Sequence, residues 1–318
     1  MIASKIATRS ADPSASRSAV IVPAAARHLA EASISANTRR AYGSALARLD
    51  AWLDGRPLDD AALSTYLAEM FAVGRSPATA GQTAAAIRFR AKLTGQGDPI
   101  GPASARVLAG FRREGNGRGR GQVTGMRWEQ ADATAAVAAN GGGAIAGLRD
   151  AAIVAIMSDA MLRVSECAAL DVVDLATEAD GTGRLTIRSS KTDQAGEGAV
   201  QYIGAPTVRR VRAWLEAAGI TDDAMFQSIR RGDHPTGKRI TPRAIRTIIA
   251  KRAAEAGVEG RVSGHSLRVG SAQSLAAAGA GLVEMQTAGR WNSPDMPGRY
   301  AAGQLAARGA VARLRYNA

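Results

Sequence analysis

"SGHSLRVGSAQSLAAAGAGLVEMQTAGRWNSPDMPGRY", Ser263–Tyr300, gathers a histidine, an arginine three residues on, a tryptophan and a tyrosine, and that histidine is one of only three in the chain. His265 and Arg268 fall on one face of a helix starting near Gly264 and Ser266, so imidazole and guanidinium project together. A lone histidine in such a place is more often a satisfied core residue than a catalyst, but the arginine beside it makes a bound anion the competing reading. Trp291 brings a donor-only indole N–H, usable on a phosphate although tryptophan more commonly just fills a core. Tyr300 closes the stretch with a phenol, a weak nucleophile at its usual pKa of about 10 unless cations stabilise the phenolate.

The same spacing occurs upstream in "DAMLRVSECAALDVVDL", where Arg163 and Glu166 are three residues apart. Alone, such a pair is a surface ion pair of little energetic consequence. Here it follows the apolar helix "LRDAAIVAIMSDAML", where an arginine can be partly buried and held in one orientation, with Leu162, Ala169 and Leu170 anchoring its helix. Two arginines converging on a phosphate would donate bidentate hydrogen bonds and offset the charge that builds during transfer. Lys191, in "RSSKTDQAGEG", lies near the turn of an expected hairpin; Lys238, in "HPTGKRIT", is the rival basic loop residue.

At 318 residues the chain has room for two ordinary domains. Forty-one Lys and Arg against 28 Asp and Glu give a formal charge of +13. That excess favours nucleic acid as partner, with an acidic membrane surface second. No apolar run reaches the roughly 18 residues of a membrane span, and no apolar signal core stands at the N-terminus, so a cytoplasmic protein without a membrane partner is expected. Cys167 is the only cysteine, which rules out an intrachain disulfide and a cysteine zinc site, and the scattered histidines make no metal site. "GNGRGRG" at 115–121 is not followed by Lys-Ser/Thr and so is no phosphate loop. No cofactor is expected; side chains alone carry the chemistry.

Along the chain, residues 1–22 read as a flexible arm, 23–114 as a helical DNA-binding domain, 115–125 as a basic Gly-rich linker with Arg118 and Arg120, and 126–318 as a catalytic domain. Helices of the first domain start at a Ser/Asn cap in the segment from Ser33, at Asp59–Asp60 and at Ser76-Pro77, with a short fourth at 103–113. In the second, helices are expected at 128–140, 146–158, 163–170, 205–218, 241–256 and 266–278, interrupted by a small antiparallel sheet around "GRLTIRSSKTDQAGEGAVQYIG". The fold class is mainly α with a small sheet. Arg39, Arg40, Arg88, Arg90, Lys92, Arg243 and Arg246 lie on helices without an aromatic stacking platform, which points to duplex DNA rather than single strands. Pro294 suits a helix start, while Pro297 and Gly298 suggest that a short, loosely held turn presents Tyr300.

Arg163, Lys191, His265, Arg268, Trp291 and Tyr300, in this order, resemble the catalytic set of the tyrosine recombinases, the integrase family of site-specific DNA recombinases, and within it the Cre-type branch, whose last motif also reads close to Ser-Gly-His-Ser-x-Arg-Val-Gly. "SANTRRAYGSALARLDAW" resembles the first helices of the family's N-terminal domain. The resemblance covers about residues 33–318. It implies an N-terminal helical core-binding (SAM-like) domain and a metal- and ATP-independent transesterification. Tyr300 would attack the scissile phosphate and leave a 3′-phosphotyrosyl link. Arg163, Arg268 and Trp291 would hold the phosphate, His265 would assist the tyrosine proton, Lys191 would protonate the leaving oxygen, and Glu166 would orient Arg163 or His265. It also implies an inverted-repeat duplex target, a homodimer per site and a tetramer at synapsis, with a C-terminal helix bearing Leu305, Val311 and Leu314 docked on a neighbouring protomer, the alternative being that this helix folds back on its own domain. Two alternatives stay open: a DNA-binding protein without catalysis on the same scaffold, and an enzyme relaxing supercoils like the type IB topoisomerases.

Overall fold

The computed structural model describes residues 24–141, 144–188, 198–307 and 309–316. The arm at 1–22 and Lys191 lie outside them. The chain forms two compact units, one running through Gly121 and one starting at Gln122.

The first unit is helical: α1 (Ala24–Ala32), α2 (Ala36–Leu53), α3 (Asp60–Ala72), α4 (Pro77–Leu93) and α5 (Pro102–Glu114). The expected caps start the helices: Ser35 Oγ accepts from Thr38 N, Asp59 from Ala62 N, and Ser76 Oγ from Thr79 N beside Pro77. Leu49, Leu53, Leu63, Leu67, Ile87, Leu108 and Phe111 form the core, with Leu46 and Trp52 packed at its margin. Asp60 adds a tie that local reading does not reveal. Its carboxylate accepts from the Gly101, Ala103 and Ser104 N–H groups and from the Ser104 hydroxyl, capping α5 from α3. Those bonds, the Ser104 hydroxyl first, hold the carboxyl below its ordinary range. In the Gly-rich segment, Arg118 stacks 3.7 Å above the Phe71 ring and donates to Phe71 O, while Arg120 is exposed.

The second unit runs α6 (Trp128–Asn140), α7 (Ala144–Asp159), α8 (Val164–Ala169), β1 (Leu175–Thr177), β2 (Gly183–Ile187), β3 (Ala199–Ile203), α9 (Ala205–Ala218), β4 (Gln227–Arg230), β5 (His234–Arg239), α10 (Pro242–Glu255), α11 (Ser266–Ala278), α12 (Leu282–Gly289), α13 (Asp295–Tyr300), α14 (Ala302–Ala307) and α15 (Ala310–Tyr316). Helix α7 is apolar almost all round because it is buried, with Ile153, Ile156 and Met157 closed off from solvent. Around it pack Leu162, Leu185, Ile203, Trp214, Phe226, Ile249 and Leu267. Leu185 and Ile187 point inward from β2 while Arg184 and Thr186 point outward, the period-2 pattern expected of a one-sided sheet.

The expected hairpin is β2–β3, antiparallel with Leu185 opposite Gln201, and β1 extends it to three strands. A second two-stranded sheet, β4–β5, places Lys238 on a strand rather than in a loop. Helix α8 is shorter than 163–170: Arg163 precedes it, Cys167 and Ala168 face the core, and Ala169 is exposed rather than anchoring. Asp150 lies buried between two arginines: Oδ1 is 2.8 Å from Arg149 Nη2 and Oδ2 is 2.8 Å from Arg252 Nε. Met161, Ala272, Ala276, Met285, Trp291 and Ala301 make a small apolar cluster separate from the main core. Among the described residues, no helix is long and apolar enough to cross a membrane.

Candidate active site

Helix α7 ends at Asp159; two residues on, the Met161 backbone turns left-handed (φ 49°), and the chain re-enters helix at Val164 with Arg163 at the cap. The three-residue spacing of Arg163 and Glu166 now acquires a definite geometry. The carboxylate accepts from the Arg163 backbone N–H at 2.9 Å and from its guanidinium at 2.5 Å. The Glu166 side chain is 2% exposed, so this is no surface pair.

His265 caps α11, and its Nε2 lies 2.8 Å from the Tyr300 hydroxyl. One turn on, Arg268 is fully buried; Nη1 donates to Met161 O at 2.5 Å and Nη2 to Gly289 O. Its guanidinium stands 4.5 Å from the Trp291 ring centroid, and Trp291 in turn stands 6.0 Å from the Tyr300 ring. The close approach of Trp291 explains Gly289: a Cβ there would fall 2.0 Å from the indole. Tyr300 ends a six-residue helix that starts after Pro294, with Ala301 N bonded to Pro297 O, so the tyrosine stands on a helical turn with its hydroxyl held. The fold therefore brings Arg163, Glu166, His265, Arg268, Trp291 and Tyr300 together from the start of α8 through α13.

One participant escapes the sequence reading. Arg290, directly before Trp291, sends Nη2 to Glu166 at 2.9 Å and Nη1 to Ala160 O at 2.9 Å. The only signal in the sequence is a basic residue inside "GRW".

Burial, reinforced by the Arg268 and Arg163 charges, depresses His265 from 6.5 to about 4. The imidazole is therefore neutral at pH 7 and able to accept a proton from the phenol beside it. Burial first, then Arg163 and Arg290, brings Arg268 down to about 9, which leaves it cationic at pH 7. Burial raises Tyr300, opposed by Arg268, Arg299 and Arg163. The His265 shift predicts a stability effect with a definite sign. Below pH 6.5 the unfolded chain takes up a proton that the folded site refuses down to about 4, so stability falls across that window. Melting temperatures of the wild type and His265→Asn, measured from pH 7 to 4, are expected to converge as pH drops; parallel curves would contradict the buried neutral imidazole.

The DNA-binding candidates divide by their partners. Arg88 pairs with Asp98 at 2.8 Å and Arg90 with Asp50 at 2.6 Å. Arg39 donates to Glu31 O and Arg40 to Asn37, while Lys92, Arg243 and Arg246 are exposed. Arg246 also borders the site, since a Cβ on Gly264, next to His265, would lie 2.9 Å from its Cγ.

Residues 126–306 match the model of the Phage integrase family, more than half of the chain. The chain belongs to the phage integrase family. A segment of 183 residues is 26% identical to the Recombinase cre of Escherichia phage P1, covering 52% of this chain and 53% of that relative. A segment of 163 residues is 29% identical to the Integrase/recombinase xerD homolog of Selenomonas ruminantium, covering 49% of this chain and 48% of the relative. The chain thus spans about half the length of the curated relatives it matches. Among solved structures, the XerH site-specific recombinase bound to palindromic difH substrate in a post-cleavage complex superposes with a TM-score of 0.69 at 15% identity, over 88% of this chain and 80% of that one. At that identity the likeness establishes the integrase-family fold.

Proposed function

We propose that this family member is a site-specific DNA recombinase that acts in the cytoplasm, cutting and rejoining duplex DNA through a 3′-phosphotyrosyl intermediate. The observation carrying the reading is the 2.8 Å contact between a neutral His265 and the Tyr300 hydroxyl, set beside Arg163 and Arg268. Tyr300 Oη attacks the scissile phosphorus as His265 Nε2 takes the phenolic proton. The bond to the 5′-oxygen breaks, and that oxygen leaves as a hydroxyl with a proton that we assign to Lys191. Arg163, Arg268 and the Trp291 indole stabilise the charge gathering on the non-bridging oxygens, and Glu166 orients Arg163. One phosphodiester replaces another, so the step needs no external energy source, and religation to a different strand's 5′-hydroxyl completes recombination.

We assign DNA grip to the exposed Lys92, Arg243 and Arg246 together with Arg39, Arg40, Arg88, Arg90, Arg118 and Arg120. The target is an inverted repeat bound by two protomers, four assembling at synapsis. The exposed Val311 and Leu314 on α15 supply an apolar stripe for a neighbouring protomer.

The test is covalent capture: incubate the protein with fragmented DNA of its source genome, denature in detergent, and sequence whatever DNA stays attached. Attached fragments enriched for an inverted repeat are expected. DNA binding without attachment would overturn catalysis and leave the binding-only alternative, and relaxation of any supercoiled plasmid without a preferred sequence would point to a topoisomerase.

A further inference from the structure

Arg290 occupies a position that a side chain would not normally choose. It closes α12 in the left-handed region (φ 52°, ψ 50°), with Trp291 N bonded back to Gln286 O, the place where a helix usually ends on glycine. A left-handed arginine raises the question of what its side chain does there. The side chain is only 10% exposed and reaches the same carboxylate that holds Arg163: Nη2 lies 2.9 Å from Glu166 Oε2 while Arg163 Nη1 lies 2.5 Å from Oε1. Its other contacts are main-chain carbonyls in the turn after α7, Ala160 O at 2.9 Å and Met161 O at 3.4 Å, and Met161 O also accepts from Arg268.

We propose that Arg290 is a positioning residue for strand cleavage: it binds one edge of Glu166 so that the other edge holds Arg163 toward the scissile phosphate. The inference rests on the recombinase reading given above. The electrostatics give the reason. Glu166 is a buried anion, and paired with Arg163 alone it would cancel that guanidinium's charge. Shared between two arginines, the trio keeps a net charge of +1, available to a phosphate. Burial pulls the Arg290 guanidinium down, and Glu166 opposes that effect, which ties the two groups energetically. Through Met161 O the same side chain is also linked to Arg268, so both phosphate-holding arginines rest on one scaffold.

The test uses the full chain, a duplex carrying its target and a nick that traps the covalent complex. Arg290→Gly keeps the left-handed cap while removing the guanidinium, which separates the role from folding. It is expected to bind the duplex as the wild type does and to cleave roughly 10–100-fold more slowly, the range for partners that orient a directly acting group. Arg290→Lys, which keeps a cation beside Glu166, should recover part of the rate. In a Glu166→Gln background, where no buried anion remains to be shared, adding Arg290→Gly should change the rate less than about twofold, a non-additivity that general destabilisation does not produce. Wild-type cleavage by Arg290→Gly, or equal losses in both backgrounds, would overturn the proposal. If the wild type forms no covalent complex, the recombinase reading itself fails, and the positioning role with it.

Discussion

Replacing Tyr300 by phenylalanine is expected to abolish covalent attachment to DNA while leaving duplex binding and folding near wild type. The substitution removes a single oxygen. The ring keeps its edge contact with His265 at 5.5 Å and its tilted contact with Trp291 at 6.0 Å. What disappears is the hydrogen bond to His265 Nε2, which for a neutral pair stabilises by about 0.5–1.5 kcal/mol. On the proposed mechanism the chemical consequence is far larger, because the phosphate loses its attacking atom while every group assigned to bind it remains. A fall in adduct formation of roughly 10³-fold or more is expected. Capture on denaturing gels, beside a gel-shift assay with the same duplex, reads both quantities. Adducts persisting in Tyr300→Phe would mean that another side chain attacks, Tyr316 being the next tyrosine in the chain.

The largest expected loss of stability comes from Asp150→Ala. The carboxylate, 5% exposed, lies between the guanidiniums of Arg149 and Arg252, themselves 11% and 3% exposed. With it gone, among the described residues Arg252 retains Glu255 at 2.8 Å and Arg149 retains Gln227 O at 3.3 Å. Two neighbouring buried cations then face each other with one peripheral anion. Breaking such a pair from one side costs about 3–5 kcal/mol, a large part of the ~5–15 kcal/mol that holds an ordinary domain folded. The melting temperature of the second unit should fall by about 10 °C, as followed by calorimetry. Asp150→Asn, which keeps the volume and part of the hydrogen bonding, should fall less. An unchanged melting temperature in Asp150→Ala would show that solvent reaches both guanidiniums.

How much of this was legible in the sequence depends on where the information lies. The caps at Ser35, Asp59 and Ser76-Pro77 are local, and the periodic Leu49, Leu53, Leu63 and Leu67 mark a single buried face, so the first unit's helices could be read directly. The pairs Arg163/Glu166 and His265/Arg268 were legible for the same reason, since three-residue spacing is itself a statement about geometry. Strands β1 and β5 were not: β1 has three residues, and "HPTGKR" carries a proline and a glycine with no alternation. The long-range caps on Asp60 and the enclosure of Asp150 join segments about 40 and 100 positions apart, and no local window contains them. Arg290 was hidden by conformation. Only the left-handed turn after α12 aims its side chain at Glu166, and nothing in the letters "GRW" announces that turn.

Tyr300 also stands on a foundation of its own. Trp291, Met285 and Ala301 pack with Met161, Ala272 and Ala276 as a cluster apart from the main core around α7. Lifting residues 282–300 therefore exposes that small cluster and breaks the Arg290–Glu166 and Arg268–Gly289 contacts, while the main core around α7 stays closed. Such an opening has a free energy of its own, smaller than that of unfolding the unit. An opening of that kind would withdraw the Tyr300 hydroxyl from His265 Nε2 and leave the rest of the unit folded.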